Sequence, residues 1–268
     1  MPCLLVKPKD VHGSTIVITD RGVLHHWRDV LRAAEGRRVE CIDGSGGWYA
    51  ARIVRSTVRS LELEILERGR EEAPGRSVRL LPALIKPDRF DWLVQKATEL
   101  GVEWISPVVT ERSLVKLREG QGSGRVARWA RIAKEAAQQC GRATVPQIDE
   151  PVMFAQAVSQ LGSGIRDQGS GHDSALAQNP EPPTPSPELF LLPTLAVATI
   201  PLRQSLEGRA GAGSITVLIG PEGDFTKEEV ALAQRHGAIP VSLGRRTLRS
   251  ETAAIAVLAV LQHAAGEL

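Results

Sequence analysis

The chain is poor in cysteine, in histidine, in long apolar runs and in charge of one sign, and each shortage removes a class of protein. Its three cysteines, Cys3, Cys41 and Cys140, are odd in number, widely spaced and without a Cys-x-x-Cys pair, so neither a disulfide framework nor a zinc cage is expected. The six histidines show no ligand spacing, and no metal is expected. No apolar run approaches the roughly 20 residues of a membrane span. The longest, Thr252 to Ala265, carries Gln262 and His263 and reads as a buried core helix. Met1 to Lys7 lacks the apolar stretch of a secretory signal, so a cytoplasmic location without membrane contact is expected. Also missing are GxxxxGK[ST], a strand followed by GxGxxG, HExxH and GxSxG, which leaves P-loop, classical dinucleotide-binding, zincin and hydrolase readings without support. The formal net charge is only +2, from 33 Lys plus Arg against 31 Asp plus Glu, which argues against a uniformly basic nucleic-acid coat.

What is present is ordinary globular material: 42% of 268 residues are apolar, enough for a buried core in one or two domains. Thr15 to Ile18, Arg38 to Ile42 and Trp48 to Val54 read as strands, His25 to Leu31 as a short helical stretch. Leu61 to Leu66 alternates with period two, the mark of a half-buried strand. Residues 1–72 thus read as a small β-rich domain with barrel character, joined by a charged linker over Glu67 to Arg76. From Val78 strand-length apolar runs alternate with helical patterns, which predicts a parallel sheet covered by helices over 76–268. Its strands are expected at Val78 to Ile85, Glu103 to Val109, Leu189 to Leu192, Ile215 to Ile219 and Ile239 to Leu243. Phe90, Leu93, Val94, Ala97 and Gly101 share one helical face, and Val126, Trp129, Ala133, Ala136 and Cys140 another. Residues 162–187, with their Gly-Ser and Pro content, read as a flexible insertion.

Charge becomes informative once divided along the chain. Residues 1–75 carry 12 basic and 11 acidic side chains, residues 76–147 carry 13 and 7, and residues 148–268 carry 8 and 13. The basic stretch includes Arg112, Lys116, Arg118, Arg125, Arg128, Arg131, Lys134 and Arg142. Because Arg125, Arg128 and Arg131 lie opposite the apolar stripe, they fit a solvated helix face and an RNA-facing patch equally well. Arginine outnumbers lysine 26 to 7, which suits RNA contacts and also follows from genomic base composition.

Two segments carry chemistry. Ile215 to Ile219 is a buried strand ending in Gly220-Pro221-Glu222-Gly223-Asp224-Phe225-Thr226, where Thr226 and Glu229 fit a capping box for the next helix. The turn falls at the carboxyl end of a parallel strand, where open α/β sheets bind ligands, although an ordinary strand-to-helix turn has the same pattern. The second runs from Val241 through Leu243-Gly244-Arg245-Arg246-Thr247-Leu248-Arg249 into an apolar helix with Ser250 as a natural N-cap. Arg249 at the helix mouth suits an anion or a carbonyl, or simple pairing with Glu251.

At these loops the sequence resembles the SPOUT superfamily of knotted methyltransferases, specifically the RsmE type that methylates N3 of a uridine in 16S ribosomal RNA. His26 through Val30-Leu31-Arg32, Gly36 and Asp43-Gly44 look like that family's PUA-like RNA-binding domain. Gln95 to Val102, Ile105-Ser106-Pro107, Thr110 to Ser113, Ala136 to Arg142 with Val145-Pro146, Ile219 to Gly223, and Leu243 to Arg245 with Leu248 to Ala253 follow its motifs in order. The resemblance implies a trefoil knot, a homodimer and S-adenosylmethionine as methyl donor. It implies cofactor contacts from Leu192, Ile219, Gly220, Gly223, Leu243, Gly244, Arg245 and Leu248, and catalytic roles for Arg249, Glu222 and Arg142. RNA contacts would come from Gln139, Arg112, Arg125, Arg128, Arg131, Arg28 and Arg32, and the partner would be 16S rRNA or the assembled small ribosomal subunit. Alternatives within the same resemblance are another target atom or a non-catalytic RNA-binding paralogue. Two positions depart from the family pattern: Asp224 stands where glycine is usual, placed to cap the following helix, and Pro193-Thr194 stands where an acidic residue is common.

Overall fold

The computed structural model describes residues 3–115, 122–162, 189–207 and 213–268. Lys116 and Arg118 of the basic stretch, and the expected insertion from residue 163 onward, lie outside the described residues. The chain forms two compact units, Met1–Ala73 with Ala130–Pro146, and Pro74–Trp129 with Gln147–Leu268.

In the first unit β1 (Cys3–Leu5), β2 (Val11–His12), β3 (Thr15–Ile18), β4 (Arg38–Ile42), β5 (Gly47–Ser56) and β6 (Leu61–Arg70) form one sheet in the order β1-β4-β5-β6-β3-β2. Alternation decides which side of each strand is buried: Leu61 and Leu63 face the core with Ile16, Ile18, Val39 and Ile53, while Glu62 and Glu64 lie between them. Helix α1 (Arg21–His25) starts at Asp20, whose carboxylate accepts from the amides of Gly22 and Val23, and it continues as a π turn over His26–Val30. Leu24 and Trp27 from this stretch complete the core. The charged segment read as a linker is mostly strand: β6 pairs with β5 as far as Arg70 with Gly47, its charged side chains standing outward. The joint shrinks to residues 71–75. Ala130–Pro146 joins this unit because Thr144 bridges Gly44 and Ser45, and the amides of Gly46 and Val145 bond Ala143 O and Gly44 O at 3.1 and 3.0 Å. The boundary read at 72–76 leaves that segment with the other domain.

The second unit contains β7 (Arg76–Pro82), α2 (Pro87–Glu99), β8 (Trp104–Ile105), β9 (Val108–Val109), α3 (Gly122–Cys140, entering this unit up to Trp129), β10 (Gln147–Ile148), β11 (Val152–Met153) and α4 (Phe154–Gly162). It continues with β12 (Leu189–Pro193), β13 (Ile200–Pro201), α5 (Leu202–Leu206), β14 (Gly213–Ile219), α6 (Lys227–Arg235), β15 (Ala238–Ser242) and α7 (Ser250–Ala265). Seven strands form an all-parallel sheet in the order β10-β8-β7-β14-β12-β15-β13. Leu189, Phe190, Leu191 and Leu192 are buried, as are Ile215, Thr216, Val217, Leu218 and Ile219, the continuous burial of strands covered on both faces. The single strand expected over Glu103 to Val109 is two, because Pro107 has no N–H to continue the ladder: β8 joins the main sheet and β9 pairs with β11.

Helix α2 buries the predicted stripe of Phe90, Leu93, Val94 and Ala97, and Phe90 stacks on Trp129 with ring centroids 4.4 Å apart. Helix α7 packs on α2 through Ala254, Val257, Leu258 and Leu261. Its one buried amide, Gln262, donates to Leu100 O at 2.7 Å. That amide occupies the space a Cβ on Gly101 would need, and Gly101 has φ +80°, so both conformation and space demand glycine there.

Candidate active site

Strands β12, β14 and β15 end side by side, and the three loops that leave them, with the start of α7, enclose a cleft of about 640 Å³ including its open mouth. Ile219, Gly220, Glu222, Leu243, Gly244 and Leu248 line it. Of the other residues expected here, Leu192 is fully buried within β12, Gly223 is turned against the side chain of Arg112, and Arg246 lines the cleft where Arg245 was anticipated. A Cβ on Gly220 would lie 3.1 Å from the Phe225 ring and 3.3 Å from Asp224 Oδ1, so those neighbours would have to give by a few tenths of an ångström to admit a side chain. Its backbone therefore forms bare wall.

The two positions that depart from the family pattern meet. Asp224 adopts φ +58°, a conformation Asp tolerates better than most residues. Its carboxylate accepts from Thr194 Oγ1 at 3.0 and 3.1 Å, from the Leu195 amide at 2.7 Å and from the Phe225 amide at 2.8 Å. Asp224 is thus a tie between the loops after β12 and β14. It is not the helix cap: Thr226 caps α6, accepting from Glu229 N at 3.2 Å while Glu229 Oε2 accepts from Thr226 N at 3.0 Å. Arg112, expected on RNA, donates to Gly223 O at 2.8 Å and to Phe225 O at 3.4 Å, and so braces the same turn from behind.

The N-cap of α7 is Arg249 and not Ser250, which becomes the first helical residue. Ser250 is only 5% exposed, lines the cleft, and its Oγ has no hydrogen-bond partner among the described residues. A buried hydroxyl without a partner costs about 1–3 kcal/mol, and at a helix N-terminus it offers a donor or acceptor to a polar ligand atom.

Glu222 pairs with Arg89, a residue the sequence reading passed over, whose Nη1 lies 3.3 Å from Glu222 Oε1 and whose Nε lies 3.8 Å from Glu251 Oε1. Glu251, the expected partner of Arg249, thus faces Arg89 instead. Pro87 at the first turn of α2, five residues beyond the end of β7, was the available signal that Arg89 stands at this end of the sheet. Arg249 is exposed and has no ion-pair partner among the described residues. Arg142 and Gln139 belong to the first unit, where Arg142 Nε donates to Thr144 Oγ1 at 2.8 Å and Gln139 is exposed. On α3, Arg128 is bound to Asp91 and Arg131 lies 3.9 Å from Glu135, leaving Arg125 as the member of that trio without an ion pair among the described residues. In the first unit Arg28 Nε donates to Asp29 Oδ1 at 2.6 Å, and with His25 it holds the Asp29 carboxyl down at about 2. Arg32 is exposed at φ +46°.

Residues 71–262 match the family model for an RNA methyltransferase domain, and residues 18–66 match that for an RNA methyltransferase PUA domain. The chain is 31% identical over 259 residues to a ribosomal RNA small subunit methyltransferase E from Synechocystis, covering 96% of this chain and 75% of that one. It is 28% identical over 264 residues to the enzyme of the same name from Bacillus subtilis, covering 97% and 94%. Among solved structures, a ribosomal RNA small subunit methyltransferase E from Neisseria gonorrhoeae bound to S-adenosyl methionine superposes with a TM-score of 0.77 at 28% identity, covering 98% of this chain and 97% of that one.

Proposed function

Because the chain belongs to the RNA methyltransferase family, with that family's PUA domain at its N-terminal side, we propose that it methylates N3 of a uridine in the RNA of the small ribosomal subunit, using S-adenosylmethionine. The observation that carries this reading is the cleft at the ends of β12, β14 and β15, with its bare Gly220 wall and the unpartnered Ser250 hydroxyl. The similar Neisseria gonorrhoeae protein was solved bound to S-adenosyl methionine.

The residues present fit an adenosyl group. Backbone groups of Gly220, Leu243, Gly244 and Leu248 would hold it, and Ser250 Oγ would meet one of its polar atoms. When bound, it supplies an electrophilic sulfonium methyl for direct displacement. The protein's share of the work is placement and charge. Glu222 is oriented by Arg89, and the unpaired Arg249 guanidinium at the mouth of α7 would stabilise the anionic form of a uracil whose N3 proton has left. Arg142 is assigned to catalysis and Gln139 to the RNA on the strength of the family motif alone. The trefoil threading and the homodimer belong to the same reading. The strand order supports the threading, because β14 is inserted between β7 and β12 and the chain then crosses β12 to form β15. Among the described residues no helix is long and apolar enough to cross a membrane, in keeping with a cytoplasmic enzyme acting on ribosomes.

Calorimetry with S-adenosylmethionine, followed by methyl transfer onto naked 16S RNA and onto assembled small subunits, tests the proposal. Mass spectrometry of the digested RNA should yield 3-methyluridine. A different methylated nucleoside would move the target atom, and absence of cofactor binding would leave a non-catalytic RNA binder. Arg249→Ala should lower turnover at least 100-fold while fold and oligomeric mass are retained; near-normal turnover would remove Arg249 from the mechanism.

A further inference from the structure

Two carboxylates line the cofactor cleft, Glu222 and Asp224, both on the turn that leaves β14. They differ in what surrounds them. Glu222 Oε1 faces the Arg89 guanidinium at 3.3 Å. Asp224 meets neutral donors, the Thr194 hydroxyl and the amides of Leu195 and Phe225, and it has no ion-pair partner among the described residues. Arg112, which braces this turn from behind, is engaged with the carbonyls of Gly223 and Phe225. Arg246 lines the cleft from the loop after β15 and is exposed. Neutral donors orient a carboxylate without cancelling its charge, so the turn presents the cleft with a fixed negative charge that has no paired cation.

The place of that charge is also set. The Asp224 amide donates back to Pro221 O at 3.0 Å and closes the turn, and Cα atoms two residues apart are separated by at most about 7.6 Å. A group reacting beside Glu222 therefore lies on the order of 8 Å from Asp224. Methyl transfer changes the charge at that point: the donor is a sulfonium cation, and what it leaves behind is a neutral thioether. Adenine, ribose and amino-acid contacts are common to both molecules. A fixed charge of opposite sign is one of the few features by which a protein can tell them apart.

We propose that Asp224 determines specificity within this site: its unpaired charge makes the cleft favour the sulfonium cofactor over the thioether left after methyl transfer, and so promotes departure of the spent molecule. The proposal rests on the methyltransferase reading above and assigns a task to one residue of that site. Because the carboxylate stands where the family pattern has glycine, the preference belongs to this chain and not to the fold. Two opposite unit charges about 8 Å apart attract enough to change affinity about 3- to 30-fold over the screening range of an open cleft.

The test is calorimetry on the full chain with three ligands: S-adenosylmethionine, S-adenosylhomocysteine and sinefungin, an analogue with an ammonium group in place of the sulfonium. The quantity read is the dissociation constant of the thioether divided by that of the sulfonium. Asp224→Asn and Asp224→Gly should each lower this ratio at least threefold, with sinefungin losing affinity in step with S-adenosylmethionine. Thr194→Val removes part of the loop tie and keeps the charge, so it should weaken both ligands alike and leave the ratio unchanged. In the native protein the ratio should also fall as salt is raised, because the attraction crosses an open, solvated cleft. A ratio that changes less than threefold in both Asp224 variants, that falls as far in Thr194→Val, or that is independent of salt in the native protein would overturn the proposal, as would sinefungin following the thioether. Each of those results leaves the methyltransferase reading standing. A native protein that binds none of the three ligands contradicts that reading, and the proposal falls with it.

Discussion

The tie between Asp224 and Thr194 makes a quantitative prediction about cofactor affinity. Replacing Asp224 with Asn keeps the side-chain shape and a residue that tolerates the left-handed backbone at φ +58°, but leaves one acceptor oxygen where there were two. That oxygen can face the Thr194 hydroxyl with the Phe225 amide, or the Leu195 amide, but not both, and the new NH2 then confronts a donor. Hydrogen bonds to a charged group contribute about 1.5–3 kcal/mol, and the 67% exposure of Leu195 moves the figure toward about 1–2 kcal/mol. Loops that must be reordered on binding pass that loss to the ligand, so the dissociation constant for S-adenosylmethionine should rise about 5- to 30-fold. Thr194→Val removes one donor and should weaken binding less, and the double variant should fall short of the sum. Asp224→Gly relaxes the backbone yet abolishes both oxygens, so it too should lose affinity. Calorimetry measures all four proteins. Unchanged affinity in both Asp224→Asn and Asp224→Gly, with the thermal transition intact, would show that the two loops hold their positions without this carboxylate.

Three further outcomes follow from other parts of the molecule. Burial, aided by Glu40, pushes the Cys3 thiol up to about 11, and burial likewise pushes Cys41 to about 12. At pH 8 their thiolate fractions are then about one in a thousand and one in ten thousand, so iodoacetamide should label the exposed Cys140 first; early labelling of Cys41 in intact protein, read by peptide mass, would contradict its burial. Gly101→Ala forces a side chain to φ +80° and displaces the Gln262 amide, at a combined cost of about 2–3 kcal/mol; the midpoint of thermal unfolding should fall by about 4–12 °C, and an unchanged midpoint would refute the account. Neutralising Arg125, Arg128 and Arg131 together should flatten the salt dependence of RNA binding if that face touches phosphate. Since Arg128 and Arg131 already have carboxylate partners, most of any change in slope should reproduce in Arg125→Gln alone.

The parts of this structure that could be read from sequence are those governed by neighbours along the chain. The strands at Leu189, Ile215 and Ile239 declare themselves by short, largely apolar stretches, and α2 by its stripe at Phe90, Leu93, Val94 and Ala97. The Thr226–Glu229 box is equally local. What stayed hidden depends on residues far apart in sequence. Asp224 looked like a helix cap because its partner Thr194 is 30 residues upstream, and the pairing exists only once β12 and β14 lie side by side. Arg89 was passed over for the same reason, its carboxylates being supplied by Glu222 and Glu251. Ser250, given as the cap, is displaced by one position because the extended backbone of Arg249 already performs that task. The assignment of Ala130–Pro146 to the first unit depends on bridges from Thr144 to Gly44 and Ser45, about a hundred residues earlier.

The register of β14 against β7, from Gly213 with Arg76 to Ile219 with Pro82, has a consequence for how the chain is made. The strand that fills the centre of the sheet is synthesised some 130 residues after the neighbour it must pair with. At elongation rates of about 5–20 residues per second, β7 would wait roughly 7–26 s with one long edge unpaired. Parallel pairing over such a separation is slow even after synthesis is complete. Chaperone dependence during translation, rather than low stability of the finished fold, is therefore the expected weak point of this protein, and slower translation between residues 82 and 213 would lengthen the exposure.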